Sequence, residues 1–216
     1  MPPMTRNGRD SGRGGTAGAK TADAIRRAAV ELFYSHGYES ASLREIAGVV
    51  GIQVGSLYNH IPSKEDLLYE IMSGVIEDLL RDLDANIEGL TDPADRLAAA
   101  VHTHVMFHTE RAKEVFIGNS ELRSLTPEHR AHVVALRDAY EQRIVEILED
   151  GAKQGAFEVP DAKLLAYAIV SIGTQVSNWY QSKGRYKLPD ISALYSEFIL
   201  RGLTPRKVAS ASRRKS

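Results

Sequence analysis

An all-α fold is predicted, with a small N-terminal three-helix unit ahead of a larger helical one, and three observations predict it. Apolar residues recur at three- and four-residue spacing almost throughout, and the period-2 alternation of strands is missing. Helix stops and starts such as Gly37, Gly51, Pro62, Gly89, Pro93, Pro127, Pro160 and Pro189 punctuate the helical pattern along the chain. The 216 residues, 43% of them hydrophobic, suffice for a small domain joined to a larger one with its own core.

Residues 1–20 carry Arg6, Arg9, Arg13 and Lys20 against Asp10, are rich in glycine and lack an apolar period, so they read as a flexible basic arm. The first helix is expected over 21–36. Thr21 is placed to cap it, Ile25, Ala28, Ala29, Leu32 and Phe33 form one stripe, and Gly37 ends it. Ser42 and Glu45 make a capping box that starts a second helix, with Leu43, Ile46 and Ala47 facing inward. Gly51 supplies the positive φ of a tight turn, and Ile52 plugs that turn into the core. A two-turn helix over 53–59 follows and stops before Pro62. Ser63 and Asp66 make a second capping box, opening a long helix to 86. Asp92 and Pro93 open a helix over 94–109, and another is expected over 113–122. Thr126 and Pro127 start a long helix that ends within 151–155. Pro160 and Asp161 open one to 182, and Pro189 and Asp190 separate it from a last helix over 191–203. The boundary falls inside the helix that starts at Lys64, giving an arm 1–20, a three-helix domain 21–67, a larger domain 68–204 and a basic tail 205–216.

Composition removes several function classes. With no cysteine there is no disulfide, thiolate metal site or cysteine nucleophile. The N-terminus lacks an apolar signal region, which predicts a cytoplasmic address. No apolar run approaches the roughly 20 residues of a membrane span, so no membrane partner is expected. A net charge of −1 argues against a protein coated in nucleic acid but leaves room for a local contact. There is no phosphate-cradling glycine loop and no nucleophile elbow, so the chain is not expected to be an enzyme. His104 and His108 share a helix face, but His102 points elsewhere and no carboxylate completes a ligand set. No metal and no cofactor are expected, and pocket-lining or partly exposed histidine is the default there.

The informative stretch is 42–67. Two short helices meeting at a tight turn, with a capped third behind them, bury too little apolar area to fold for their own sake. They fit a helix-turn-helix that lays its second helix in a groove of double-stranded DNA. Gly55 lets the backbone come close, Ser56 offers a hydroxyl to phosphate, and Leu57 is the inward anchor. Tyr58 and His60 reach the DNA backbone, and Lys64 at a helix start attracts phosphate. Gln53, Val54 and Asn59 are the base-edge readers, and Arg44 adds an exposed cation beside them. The reading helix holds no Lys or Arg, so affinity is expected from the arm and Lys64. A small three-helix bundle with incidental Tyr and His is the plain alternative.

On Phe33, Gly37, Ile46, Ala47, Gly51, Gly55, Leu57, Tyr58, His60, Lys64, Glu65 and Leu67, residues 21–67 resemble the DNA-binding domain of the tetracycline-repressor (TetR) family. Val50 stands where Ala is usual and Ile61 where Phe is usual, and both stay apolar. The resemblance implies a homodimeric transcriptional repressor whose larger helical domain binds a small molecule and dimerises. The ligand would shift the long connecting helix and release the operator.

The stretch 121–130 is similar to regulators of fatty-acid, aromatic-acid and steroid breakdown that respond to acyl-CoA thioesters. Such a ligand wants an apolar slot with a cationic mouth. Candidate walls are Val101, Val105, Met106, Phe116, Tyr140, Ile144, Tyr167, Trp179 and Tyr180, and candidate head-group contacts are Arg123, Arg130 and Arg137. For each residue, ordinary core packing or pairing with Glu121, Glu128 or Glu141 is the plain alternative. The helices over 161–182 and 191–203 carry wide apolar faces suited to a four-helix interface between two copies. Two other classes stay open: a DNA-binding regulator whose larger domain binds a protein partner, and an all-α enzyme or lipid carrier with a vestigial reading head.

Overall fold

The computed structural model describes residues 13–205. Among them are nine α-helices, one 3-10 turn at Leu122–Ser124 and no strand. The helices are α1 (Arg13–His36), α2 (Leu43–Val50), α3 (Val54–Leu57), α4 (Lys64–Ile87), α5 (Pro93–Glu110), α6 (Ala112–Ser120), α7 (Pro127–Lys153), α8 (Ala162–Trp179) and α9 (Leu188–Leu203).

Several boundaries differ from expectation. Helix α1 begins at Arg13, ahead of the expected start at 21. No proline interrupts 13–21, and Ala17, Ala19 and Lys20 are good helix formers, so the helix runs back into the basic arm. Arg6, Arg9 and the tail cations Arg206, Lys207, Arg213, Arg214 and Lys215 lie outside the described residues. Helix α3 is only four residues long, and the chain then turns through Tyr58–Asn59–His60, with the His60 and Ile61 amides both donating to the Leu57 carbonyl. Helix α8 ends at Trp179, and α9 starts at Leu188 with Pro189 inside its first turn, where the missing N–H goes unnoticed.

The capping box at Ser42 is built as the sequence suggests, Ser63 caps α4 without the reciprocal bond to its own amide, and Thr21, expected to cap the first helix, lies inside α1. Ser42 accepts from the Glu45 amide at 3.2 Å, and the Glu45 carboxylate accepts from the Ser42 amide at 2.8 Å. Gly51 sits at φ 77°, a conformation that a Cβ would strain, and joins α2 to α3. Ser63 accepts from the Asp66 amide at 3.0 Å and donates its hydroxyl to the Asp66 carboxylate at 2.6 Å.

Helix α4 buries Leu67, Leu68, Ile71, Met72, Val75, Ile76, Leu79 and Leu83, a stripe at helical spacing that serves two cores in turn. The N-terminal core is formed around Ile25, Phe33, Ile46 and Leu57, and it continues along α4 to Ile76. It also takes in Ile117 of α6, Leu125 and Val133 of α7. It therefore does not close at residue 67, as the expected boundary implied: the first three turns of α4 and a corner of the larger unit complete it. The second core is centred on α5, which packs against α4, α7, α8 and α9. The α5–α8 contact is close because Gly173 faces His104; a Cβ there would lie 2.4 Å from the imidazole Cδ2.

Candidate nucleic-acid interface and effector cavity

The turn at Gly51 projects α3 from the body of the N-terminal unit. Leu57 is fully buried and fixes the helix, while Gln53, Gly55, Ser56, Tyr58 and Asn59 are exposed and Val54 and His60 are half-buried. Gln53 is the N-cap of α3, yet its side chain makes no capping hydrogen bond, so the amide is free to reach outward. Arg44, Val54 and Tyr58 line one shallow depression, which puts cation, apolar side chain and phenol on a common face. These residues are brought together as expected.

Lys64 is not where the sequence reading put it. Its ammonium donates to the carbonyls of Tyr38, Glu39 and Ala41 at 2.9, 3.2 and 3.1 Å and lies 4.3 Å from the centre of the Tyr38 ring. All three N–H groups are thus occupied in tying α4 to the turn after α1, and none remains for phosphate. Burial, with help from Glu39, pushes the Tyr38 hydroxyl up to about 12, so it stays neutral under the lysine. The neighbouring acids are likewise held internally. Hydrogen bonds from Ser42 lower the Glu45 carboxyl from its ordinary value. Glu65 accepts from the Thr126 amide at 2.8 Å and lies 2.9 Å from His129 Nδ1. Glu65, Asp66 and His129 are close enough to hold a metal ion, but these bonds already join them to one another's surroundings.

The larger unit holds a cavity of about 190 Å³ between α4, α5, α6, α7 and α8. Met72, Val75, Ile76 and Leu79 of α4 make its apolar floor, and Val115 and Val170 face them. The buried polar end is made by α5 and α7. His104 Nε2 faces the Val170 carbonyl at 3.0 Å and the Thr174 hydroxyl at 3.0 Å, so it carries the proton. Its Nδ1 then accepts from the Tyr140 hydroxyl at 2.8 Å. His108 Nδ1 donates to the His104 carbonyl at 3.0 Å, leaving Nε2 as a lone-pair acceptor. Burial drives both imidazoles to the neutral form: His108 is pushed down to about 4 and His104 well below its ordinary value. Burial raises the Tyr140 hydroxyl far above its ordinary value, so the phenol remains a donor. Arg137 donates to the Gly118 carbonyl at 2.7 Å and lines the same cavity.

Of the expected wall residues, Tyr140 lines this cavity. Val101, Val105 and Ile144 are buried in the second core, with Met106 and Tyr180 partly buried against it. Phe116 is half-exposed on the far side of α6, edge-on to Tyr34 of α1 at 5.2 Å. Tyr167 and Trp179 are exposed on α8, and Arg123 and Arg130 are exposed, so among the expected head-group contacts Arg137 is the one at the cavity. The cavity is lined instead by aliphatic residues of α4 and by polar residues of α5 to α8, where five helices diverge, and the i, i+4 pairs His104/His108 and Val170/Thr174 were the available signal.

Two family models match the chain. Residues 25–71 match the bacterial regulatory proteins of the tetR family, and residues 90–203 match the tetracyclin repressor-like C-terminal domain. The chain belongs to the TetR family. A TetR-family regulatory protein from Rhodococcus RHA1 is 34% identical, with a TM-score of 0.80 over 87% of this chain and 99% of that one. AibR, solved in complex with isovaleryl coenzyme A and operator DNA, is 26% identical, with a TM-score of 0.74 over 87% of this chain and 100% of its own. The transcriptional repressor KstR2 of Mycolicibacterium smegmatis is 26% identical over 86% of this chain and 92% of its own length. As a TetR protein the chain is a DNA-binding transcription regulator with a helix-turn-helix head. Within this TetR head, the motif residues Phe33, Ile46, Ala47, Leu57 and Leu67 are core-formers and Lys64 and Glu65 are internal ties. The motif thus specifies a head shape, on which Gln53, Ser56, Tyr58 and Asn59 are exposed.

Proposed function

We propose that this TetR regulator is a homodimeric repressor that reads its operator through Arg44 and the 53–60 segment and is released by a small molecule bound in the 190 Å³ cavity. The observation that carries this reading is the position of α6. On one side Glu114, Val115, Gly118 and Asn119 line the cavity. On the other, Lys113 pairs with Glu31 of α1 at 2.6 Å and Phe116 packs on Tyr34 of α1. One short helix is therefore both wall of the effector site and neighbour of the reading head, which is what a coupling between the two sites requires.

The dimer reading is supported by an exposed apolar face. Leu164, Tyr167 and Trp179 of α8 and Leu194 and Phe198 of α9 are 41–67% exposed, an area that a second copy would cover. An acyl-CoA class of effector is supported by the AibR complex, with the acyl group inside and the nucleotide outside, since the cavity is smaller than the roughly 300–1,000 Å³ taken by drug-sized ligands. The test is a gel shift on the DNA upstream of the protein's own coding region, with and without isovaleryl-CoA, alongside native mass spectrometry. A dimer that shifts this DNA and is released by the thioester is expected. A monomer at micromolar concentration, or a shift indifferent to every thioester tried, rejects the reading.

A further inference from the structure

The cavity has two polar groups with hydrogen-bonding capacity to spare. The first is His108 Nε2. Nδ1 is committed to the His104 carbonyl, the ring is 9% exposed, and Nε2 has no protein donor among the described residues. The second is Arg137, half-buried at the wall, with one hydrogen bond to the Gly118 carbonyl; Glu141, one turn along α7, is its charged neighbour but forms no ion pair with it among the described residues, so guanidinium N–H groups remain to donate. The other buried polar groups are already matched: Tyr140 and Thr174 bond to His104, and Glu114 bonds to Arg111 at 3.2 Å. Asn119, which is exposed, and Glu141, which is half-buried, also line the cavity.

We propose that the occupant of this cavity is a short hydroxyacyl group, whose hydroxyl donates to His108 Nε2 and whose acyl oxygen accepts from Arg137. The proposal rests on the effector reading above and narrows it. Size sets the first limit. At the packing density of a protein interior, 190 Å³ accommodates on the order of eight heavy atoms, enough for a four- or five-carbon acyl chain with its oxygens. Polarity sets the second. A plain hydrocarbon chain filling the apolar part would strip His108 Nε2 of any donor, including water, and leave a buried acceptor unpaired. A hydroxyl at that point restores the bond, so the hydroxyacyl group is held more tightly than the hydrocarbon analogue, which still fits the apolar part. The neutral state of both histidines, held by burial, keeps Nε2 an acceptor across the physiological range.

Isothermal titration of the full chain with butyrate and with 2-, 3- and 4-hydroxybutyrate, each as free acid and as CoA thioester, tests this. One hydroxy isomer should bind at least tenfold tighter than butyrate in the same form. The free-acid and thioester arms distinguish the two sources of the group. His108→Leu should abolish the preference while keeping butyrate binding, and His108→Gln, which retains an acceptor, should restore part of it. If either variant fails to fold, the ranking by the unaltered protein decides. Equal affinity for butyrate and all three isomers overturns the proposal, as does a preference that survives His108→Leu. Binding by none of the compounds also overturns it, whereas the effector reading stands or falls separately on release by isovaleryl-CoA.

Discussion

The Tyr69 ring lies flat on the His129 imidazole, centroids 3.9 Å apart and planes 9° from parallel. The same tyrosine's hydroxyl is 2.9 Å from His132 Nδ1, and Glu65, one turn earlier, takes the Thr126 amide and His129. The first two turns of α4 are thus clasped to the start of α7. Glu65→Ala is expected to cost about 1–2 kcal/mol, since the Thr126 amide and His129 lose their partner together. For a chain of this size that lowers the melting temperature by about 2–8 °C, readable by differential scanning fluorimetry.

Lys64 separates a structural role from a DNA-contacting one. Lys64→Met should destabilise the fold by about 2–3 kcal/mol, because three backbone carbonyls lose a charged donor. The slope of operator affinity against salt should stay unchanged within error. A phosphate contact by Lys64 would instead flatten that slope by about 0.9.

Gly173→Ala should be among the most disruptive small substitutions in the larger unit. The new methyl would meet His104 at 2.4 Å, and the imidazole is anchored by Tyr140 and the Val170 carbonyl, so neither side can yield freely. A loss of about 1–3 kcal/mol in urea denaturation, with an unchanged m-value, is the expected result.

Acid should weaken the fold through His108. Its folded value is near 4 against an ordinary value of 6.5, so below pH 6.5 the unfolded chain binds the proton more readily. The stabilisation is complete above pH 6.5 and is lost as pH falls through 4, by about 3 kcal/mol in all. Denaturation midpoints measured from pH 7 to pH 4 should fall less steeply in His108→Leu.

On α9, Phe198→Glu places a charge in the middle of an exposed apolar face without touching the core. Sedimentation should then report a monomer, and operator affinity should drop by two orders of magnitude or more, because one short reading element contacts too few base pairs alone.

The helix order, the caps at Ser42 and Ser63 and the exposure of the 53–60 segment were legible in the sequence because each depends on local rules: spacing, capping residues and a glycine at positive φ. The misplacements involve relations between distant segments. Lys64 looks like a phosphate ligand until the turn at Tyr38–Ala41 folds under it. Phe116 and Trp179 have the chemistry of a pocket wall, yet helix rotation turns them outward, while Met72 and Val75 look like connecting-helix core and line the cavity. Which face of a helix meets a void depends on how five helices diverge, and no single stretch of sequence carries that.

Ile117, Leu125 and Val133 are contributed by the larger unit to the core of the reading head. A hybrid sensor made by joining this head to another regulator's body at residue 67 would leave Leu68, Ile71, Met72 and Ile76 facing foreign side chains and remove three partners outright. A graft that keeps the head intact must cross over after Ile76 and carry those three positions with it. The natural unit of exchange here is a patchwork surface, shared between segments far apart in the chain.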